Sequence, residues 1–510
     1  MGATEVMSSD EYERRRAARE ADPHVDHERV EELFREFLEA VARPARGESD
    51  GRDLAARLRA HLGGEPSETP VVKVVYAPYD HPNVHLAVER WFGEAEGRAY
   101  ELIGLSGARN RGDLALSEVV ESANRYEQFT VGAVDYTQLP VGPDREITCV
   151  GIGFYLGRTE DGVPFAALLR GPTNDYDEND VRLEVMCEQR ELAQGFLSDV
   201  DGLVRAHNIF RGQMLSFEGS AFGEGLGPFR FHRRPGLGRA DIVLPDGLLD
   251  RIERQVVGVA RRRERLRAAG QHLRRGLLLY GPPGTGKTHT IRYLVSGLPD
   301  FTVILLSGTS IGAIGAACAL ARMLQPALVV LEDCDLIAES RDYGGGEQPL
   351  LFQVLNEMDG LGDDADVAFL LTTNRADLLE PALAQRPGRV DLAVEIPLPD
   401  AAGRARLLDL YGLSGAGIGG DLDEDVLAEA VARTEGTTAS FAKELVRRTV
   451  LVAAEREAER VGPRDLREAL DELLSDRDAL TRRLLGVRGP EGEDLDDEDY
   501  EDYEDEDAGE

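Results

Sequence analysis

A glycine-rich segment, residues 281–288, constrains the fold of this chain more than any other feature. Its sequence is Gly-Pro-Pro-Gly-Thr-Gly-Lys-Thr; the apolar run 277–280 precedes it, and residues 289–295 follow with helical apolar spacing. Glycines let backbone N–H groups close around phosphate oxygens, and a helix that begins there directs its positive end at them. Lys287 can reach the β- and γ-phosphates, and the Thr288 hydroxyl can bind Mg²⁺. The segment therefore predicts a phosphate loop between a strand and a helix, and with it an α/β fold.

The lysine in this loop is informative because arginine dominates the basic residues of the chain. The only lysines are Lys73, Lys287 and Lys443. A Gly/Pro turn that merely joins a strand to a helix is the alternative, and it does not account for the complete motif with both flanks. We predict that ATP is bound through Gly281, Pro282, Pro283, Gly284, Thr285, Gly286, Lys287 and Thr288.

Two carboxylates follow a second apolar run. Residues 327–331 are apolar, and Glu332 and Asp333 come directly after them. A buried parallel strand would deliver both side chains at its carboxyl end, where α/β proteins bind ligands. The usual order at this position is Asp then Glu, and here it is swapped. By position we assign Glu332, with Thr288, to Mg²⁺ and Asp333 to polarising the attacking water. A solvated strand end is the alternative for the carboxylates taken alone.

Polar and basic residues follow a third apolar run. Residues 367–373 lead to Asn374, whose amide would orient the water or sense the γ-phosphate. From about residue 241 to about 475, nearly half of the chain, these motifs in order resemble the AAA family of the AAA+ ATPases. The resemblance implies that Arg386 and Arg389 are arginine fingers that enter a neighbouring subunit's nucleotide site. Without it, both would be assigned as ordinary surface arginines.

The resemblance also implies an architecture and an assembly. It predicts a parallel RecA-like sheet with a helical lid that closes over adenine, bound ATP and Mg²⁺, ATP hydrolysis, and self-association into a homohexamer. In motif detail the chain is most similar to the mitochondrial translocase branch that inserts the Rieske protein, which also carries swapped carboxylates. The membrane anchor of that branch has no counterpart in this sequence, so only the ATPase chemistry is carried over.

Composition restricts the remaining function classes. The formal net charge is −37, which disfavours nonspecific nucleic-acid binding. No apolar run approaches the ~18–20 residues that span a bilayer, and the N-terminus has no signal-peptide pattern. The four cysteines are dispersed without metal-binding spacing, and His-Glu-x-x-His is absent, which argues against a zinc metalloprotease. We therefore predict a cytoplasmic protein with no membrane contact and no nucleic-acid partner.

Changes in composition along the chain predict its organisation. The domains are a charged helical N-terminal segment (1–65), an α+β N-terminal domain (66–218), a Gly- and Arg-rich linker (219–240), an AAA+ nucleotide-binding subdomain (241–399), a helical lid (400–475) and a disordered acidic tail (476–510). The tail is interpreted either as a solubilising segment or as a docking segment for a basic partner. Exposed arginines near the linker are assigned to helix-face or intersubunit charge rather than to nucleic-acid binding.

Two segments limit the functional interpretation. Asp175, Asp177, Glu178 and Asp180 lack the glycine and distal glutamate of a Ca²⁺ loop, so a solvated turn is favoured. In residues 307–316, where family members that thread polypeptide present an aromatic residue to the pore, this chain has Ala313. We predict a ring-forming ATPase that remodels a protein client recognised by the α+β domain. The alternatives are a slow nucleotide-dependent scaffold and, more distantly, a DNA-remodelling ATPase.

Overall fold

The structure is a computed structural model that describes residues 53–94, 98–107, 114–126, 129–172, 180–217, 229–334, 356–357, 360, 362, 365–375, 390–413 and 422–475. The chain divides into two compact units, one formed by residues 1–138 and 148–204 and the other by residues 139–147 and 205–510. Residues 1–52 of the predicted N-terminal segment and the acidic tail lie outside the described residues, as do Asp175, Asp177, Glu178, Arg386 and Arg389.

A seven-stranded sheet makes up most of the first unit. Its strands are β1 (Val71–Tyr76), β2 (Tyr100–Gly107), β3 (Phe129–Gly132), β4 (Asp135–Gly142), β5 (Arg145–Arg158), β6 (Pro164–Arg170) and β7 (Val181–Met186). The order is β1-β7-β6-β5-β2-β3 with antiparallel neighbours, and β4 pairs with β5. Both faces of the central strands are buried, so β6 is apolar up to Arg170. Strand β7 also carries Arg182 and the buried Glu184, and Glu184 pairs with Arg170.

Helices cover both faces of this sheet. They are α1 (Leu54–Leu62), α2 (His81–Gly93), α3 (Leu116–Tyr126) and α4 (Arg190–Ala206). On one face α2 and α4 pack around Trp91 and Phe196. On the other face α1 and α3 pack around Leu58 and Val120. Helix α1 therefore belongs to the core of this unit, although its residues fall within the N-terminal segment that the sequence suggested.

The second unit contains another seven-stranded sheet. Its strands are β8 (Met214–Phe217), β9 (Phe229–His232), β10 (Arg275–Tyr280), β11 (Thr302–Ser307), β12 (Ala327–Glu332), β13 (Val367–Thr373) and β14 (Leu392–Glu395). The order is β14-β10-β13-β12-β11-β8-β9, in which only β9 is antiparallel to its neighbour. The six parallel strands, with the phosphate loop after β10, match the predicted parallel sheet.

Strands β8 and β9 lie before residue 241, where the sequence suggested the nucleotide-binding subdomain would begin. The linker that follows β9 is also anchored, through the half-buried side chain of Arg234. Its guanidinium donates hydrogen bonds to the carbonyls of Gly212 and Leu298, both at 3.0 Å, and to that of Phe301. The sheet of the second unit therefore extends into the predicted linker, while the predicted domain boundaries stay predictions.

The helices of the second unit divide between the sheet and the lid. Near the sheet lie α5 (Leu248–Glu253), a π-helical segment (Arg254–Gly258), α6 (Val259–Arg261), α7 (Arg263–Ala268), α8 (Lys287–Ser296) and α9 (Ile314–Met323). The lid contains α10 (Ala401–Leu410), α11 (Glu424–Arg433), α12 (Ala439–Glu455) and α13 (Pro463–Leu474), packed around Phe441 and Leu445. The predicted helical lid is thus present.

Two further observations concern the whole described chain. All four cysteines are free and buried. Among the described helices, none combines the length and the apolar content that a bilayer crossing requires.

Candidate nucleotide site

Three glycines of the phosphate loop have left-handed backbone conformations. The φ angles are 138° at Gly281, 77° at Gly284 and 107° at Gly286, and α8 begins at the next residue, Lys287. Glycine adopts such angles readily because it has no Cβ. At Gly281 there is a second constraint, since a Cβ would lie 2.4 Å from the carbonyl oxygen of Ile396. The loop therefore needs glycine for its curvature and, at its first residue, for close packing against the chain after β14.

We expect Gly281→Ala to destabilise the protein more than Gly286→Ala. Both substitutions strain the backbone, which costs about 1–3 kcal/mol, but a Cβ at Gly286 would meet no atom within 4 Å. The clash at Gly281 is with backbone, which cannot rotate away. Chemical unfolding of both variants tests this, and equal losses of stability would contradict the packing role of Gly281.

Lys287 points its ammonium back into the loop. Its Nζ donates hydrogen bonds to the carbonyl oxygens of Gly281 at 2.8 Å and Pro282 at 2.9 Å, and the residue is 6% exposed. The hydroxyl of Thr285 donates to the same Pro282 carbonyl at 2.9 Å. The loop thus holds a buried cation within a curl of backbone at the amino end of α8, an arrangement suited to binding phosphate.

The end of β12 brings Glu332 against the start of α8. The Thr288 side chain lies close enough to the half-buried carboxylate of Glu332 to lower its pKa. Burial and the neighbouring charge of Asp333 raise the pKa of Glu332, whereas Arg292 and Thr288 oppose that rise. Hydroxyl and carboxylate oxygens are the hard donors that Mg²⁺ prefers, so the residues present fit this metal.

Arg292 is a site residue that the sequence interpretation missed. It lies on α8 four residues after Thr288, and residues at that spacing share one face of a helix. That spacing was the available signal. With Glu332 it lines a cavity of about 370 Å³ beside β8 and α8.

Asp333 differs from Glu332 in backbone conformation and exposure. Its φ is 54°, an unusual value for a residue other than glycine, and its side chain is exposed. The turn is held by β13, because the Asp333 N–H donates to the Thr372 hydroxyl at 3.0 Å and the Cys334 N–H donates to the Thr372 carbonyl at 2.9 Å. The two carboxylates therefore have different surroundings, one against Thr288 and the other facing solvent.

Asn374 lies beside the entrance of the loop. Strands β10 and β13 are parallel neighbours, with Tyr280 opposite Thr373. The next residues along each strand are Gly281 and Asn374, so the half-buried Asn374 follows β13 at the same edge as the loop. The sheet thus brings together all the predicted site residues that the structure describes.

The lid contacts the phosphate loop at the start of α12. The backbone N–H of Ser440 donates to the Gly284 carbonyl at 3.1 Å, and a Cβ at Gly284 would lie 3.0 Å from the Ser440 hydroxyl. A cavity of about 300 Å³ lies at this junction, lined on its apolar side by Leu244, Pro397 and Leu407 among others, with Thr285 of the loop. The cavity lies beside the phosphate loop, and charged side chains line it together with the apolar ones.

The structure describes the predicted pore segment but not the two predicted arginine fingers. In residues 307–316, Ile311 and Ile314 are buried and Ala313 is half-buried. Alanine therefore occupies the position at which threading family members present an aromatic residue, and neither isoleucine beside it is exposed. Arg386 and Arg389 lie outside the described residues, but nearby Asp391 is firmly placed. Its N–H donates to the Gly276 carbonyl at 3.0 Å, and its carboxylate accepts from the Gly276 N–H at 2.9 Å.

Comparison with known proteins identifies the domain that contains the loop. Residues 277–398 match the family model "ATPase family associated with various cellular activities (AAA)". The chain is 34% identical over 251 residues to the ATP-dependent zinc metalloprotease FtsH 3 of Sphaerobacter thermophilus, covering 47% of this chain and 50% of that protein. It is 30% identical over 267 residues to the chloroplastic ATP-dependent zinc metalloprotease FTSH 1 of Arabidopsis thaliana, covering 50% of this chain and 36% of the relative.

The matched region accounts for the site but not for the whole protein. The chain spans half or less of the length of these relatives. Nothing in the comparison supports the finer resemblance to the Rieske-protein translocase branch. The family match, the loop on a parallel sheet and the attached helical lid agree with one another. The chain therefore contains a domain of the AAA family of ATPases.

Proposed function

We propose that this chain binds Mg²⁺ and ATP at the loop of residues 281–288 and hydrolyses the nucleotide. The observation that carries the proposal is the phosphate loop itself, in which the buried Lys287 at the start of α8 donates hydrogen bonds to the carbonyls of Gly281 and Pro282. Thr288 and the nearby Glu332, at the end of β12, add two oxygen donors suited to Mg²⁺. Bound Mg²⁺ would neutralise charge on the phosphates, and side chains of the protein would bind the phosphates and the metal and activate the attacking water.

Each site residue has a proposed role that follows from its position. Lys287 donates hydrogen bonds to the β- and γ-phosphates in place of the loop carbonyls it now contacts. Glu332, beside Thr288, is a ligand to the metal. Asp333, exposed beyond it, accepts a proton from the attacking water, while Asn374 orients that water at the edge of β13.

The swapped carboxylates make a prediction that separates their roles. We expect Asp333→Asn to keep ATP affinity within about threefold while turnover falls by about 100-fold or more, because the water loses its base. Glu332→Gln should instead weaken Mg²⁺ binding, so that ATP affinity responds less to added Mg²⁺. Calorimetric titration of ATP with Mg²⁺, alongside phosphate release, distinguishes them. If Glu332→Gln stops turnover with Mg²⁺ binding intact and Asp333→Asn does not, the assignment is reversed.

We further propose that the protein works as a ring, with six subunits by family resemblance. Arg386 and Arg389 would then complete the nucleotide site of a neighbour. Catalysis would depend on subunit contact.

The work of the ring is proposed to be remodelling of a protein client in the cytoplasm. The free, buried cysteines are compatible with a reducing compartment, and the separate first unit is the proposed client-recognition domain. Pull-down with Asp333→Asn in ATP would trap a client during a stalled cycle. ATP turnover measured with each captured protein should rise above the basal rate.

A second candidate is a nucleotide-dependent scaffold that turns ATP over slowly. It is favoured by the buried isoleucines and the small Ala313 in residues 307–316, which offer no aromatic grip for a threaded chain. Turnover that no captured protein stimulates, together with partner binding that differs between ATP and ADP, would favour the scaffold. Salt-sensitive DNA binding would favour the third candidate, a DNA-remodelling ATPase.

A further inference from the structure

An arginine-rich segment immediately before β10 forms an exposed basic surface on the second unit. Residues 251–275 contain nine arginines and two glutamates, in a chain whose net charge is −37. The segment includes the second half of α5, the π-helical turn, α6 and α7. Its apolar side chains Ile252, Val256 and Ala260 are buried in the core beneath the sheet. The apolar side fixes the segment to the domain and leaves arginines facing solvent.

Five of these arginines are exposed and form no ion pair within the described part of the chain. They are Arg251, Arg254, Arg261, Arg262 and Arg265, which we call the arginine surface. By contrast, Arg263 and Arg267 each approach Glu264 at 3.6 Å. Lid arginines also have partners: Arg433 lies 2.6 Å from Asp471, and Arg447 lies 2.6 Å from Glu444.

The clustered positive charge of the arginine surface indicates an anionic partner. Like charges within a few helical turns create a positive potential that attracts a polyanion. The chain has 95 acidic residues against 58 basic ones, so unpaired arginines here are not explained by a shortage of carboxylates. A partner rich in carboxylates or phosphates would match the surface.

We propose that the arginine surface binds the acidic segment of this same chain, residues 491–510. Fourteen of those twenty residues are Asp or Glu, and none is Lys or Arg. Residues 476–490 connect the segment to Ser475, the last described residue, and can span at most about 50 Å. Covalent attachment raises the local concentration of the segment to roughly millimolar, so weak individual ion pairs are sufficient.

Nucleic acid is the other polyanion with matching charge, and the surface fits it less well. Residues 251–275 contain no Phe, Tyr or Trp on which a base would stack. The negative net charge of the chain also opposes the approach of nucleic acid. The proposal does not depend on ATP hydrolysis, so its test is separate from tests of the nucleotide site.

The test uses the full-length chain and a fluorescent peptide with the sequence of residues 491–510. In one variant, every Asp and Glu of that segment is replaced by Asn or Gln, which leaves the arginine surface unoccupied. At low salt, the peptide should bind this amide-tail variant at least ~10-fold more tightly than it binds wild type. Raising the ionic strength should weaken binding steeply, since exposed charges are screened within about 10 Å at 0.1 M.

Substitutions in the amide-tail variant locate the binding surface. Replacing the five residues of the arginine surface with Gln should weaken peptide binding at least ~10-fold. The matched control replaces five lid arginines that have carboxylate partners with Gln: Arg433, Arg447, Arg448, Arg464 and Arg467. This control loses the same charge and should retain binding within about twofold. If the fivefold variant fails to fold, Arg254→Gln and Arg265→Gln are tested singly, each with about a threefold loss expected.

Three outcomes would overturn the proposal. The first is equal peptide binding to wild type and the amide-tail variant. The second is equal loss from the arginine surface and the lid control, which would mean that only bulk charge matters. The third is tight binding of a 20-base-pair DNA duplex by wild type through the same five arginines, which would make the surface a nucleic-acid site.

Discussion

Lys287→Ala is expected to lower ATP affinity by about 100-fold, because the ammonium is the one buried cation of the loop and its charge-assisted bonds to phosphate are lost. Its present partners, the carbonyls of Gly281 and Pro282, show that the side chain already points into the loop curl. Isothermal calorimetry with Mg²⁺ and ATP measures the change. Phosphate release should fall to background in the same variant.

The chain supplies a matched control for this substitution. Lys443 is an exposed lysine on α12 of the lid, so Lys443→Ala removes the same side chain and charge away from the loop. We expect its ATP affinity to stay within about twofold of wild type. Equal losses in the two variants would mean that residues 281–288 do not form the phosphate site.

Arg386→Ala is expected to bind ATP normally and to hydrolyse it about 1,000-fold more slowly, the scale on which arginine fingers act. The effect should be exerted in trans. Mixing Arg386→Ala with Lys287→Ala should therefore restore turnover, because about one quarter of randomly formed interfaces pair an intact loop with an intact finger. Phosphate release by the mixture, compared with each variant alone, gives the result.

A second mixture tests whether the recovery depends on which side of the interface is damaged. Lys287→Ala and Asp333→Asn both damage the loop side, so no interface between them is complete and their mixture should stay inactive. If both mixtures remain inactive in rings shown to contain the two variants, catalysis in trans is contradicted. Activity that is independent of protein concentration in a monomer would contradict it as well.

The sequence predicted the elements whose chemistry is local. The phosphate loop is recognisable because its glycines, lysine and threonine must occur at fixed spacing, and the structure has a strand before it and a helix beginning at Lys287. Buried strands were also predictable: β12 begins at the first residue of the apolar run 327–331, and β13 spans the run 367–373. Such runs persist because both faces of the sheet are covered.

Elements stabilised by distant contacts were harder to predict. Strand β2 has exposed and polar residues at both ends, and β4 alternates between half-buried and exposed positions, so neither gives a continuous apolar signal. Strands β8 and β9 are four residues each and flank a glycine-rich segment, which was interpreted as linker. Arg234 is half-buried through hydrogen bonds to three carbonyls from separate parts of the chain, and no local pattern encodes that arrangement.

The candidate site was predicted in its residue types but not in its geometry. The order of Glu332 and Asp333 was visible, whereas the left-handed φ of Asp333 depends on its hydrogen bond to Thr372 from another strand. The contact between Ser440 and Gly284 joins residues far apart in sequence. It depends on how the lid packs against the loop, and only the structure supplies that.

Phosphate release from Mg²⁺ and ATP by the purified full-length chain tests the central claim most directly. It is measured for wild type, Lys287→Ala and Lys443→Ala under the same conditions and across protein concentrations that span ring assembly. We predict sustained release by wild type and Lys443→Ala, and background release by Lys287→Ala. Release that survives Lys287→Ala, or none from assembled wild type with ATP bound, would contradict hydrolysis at this site.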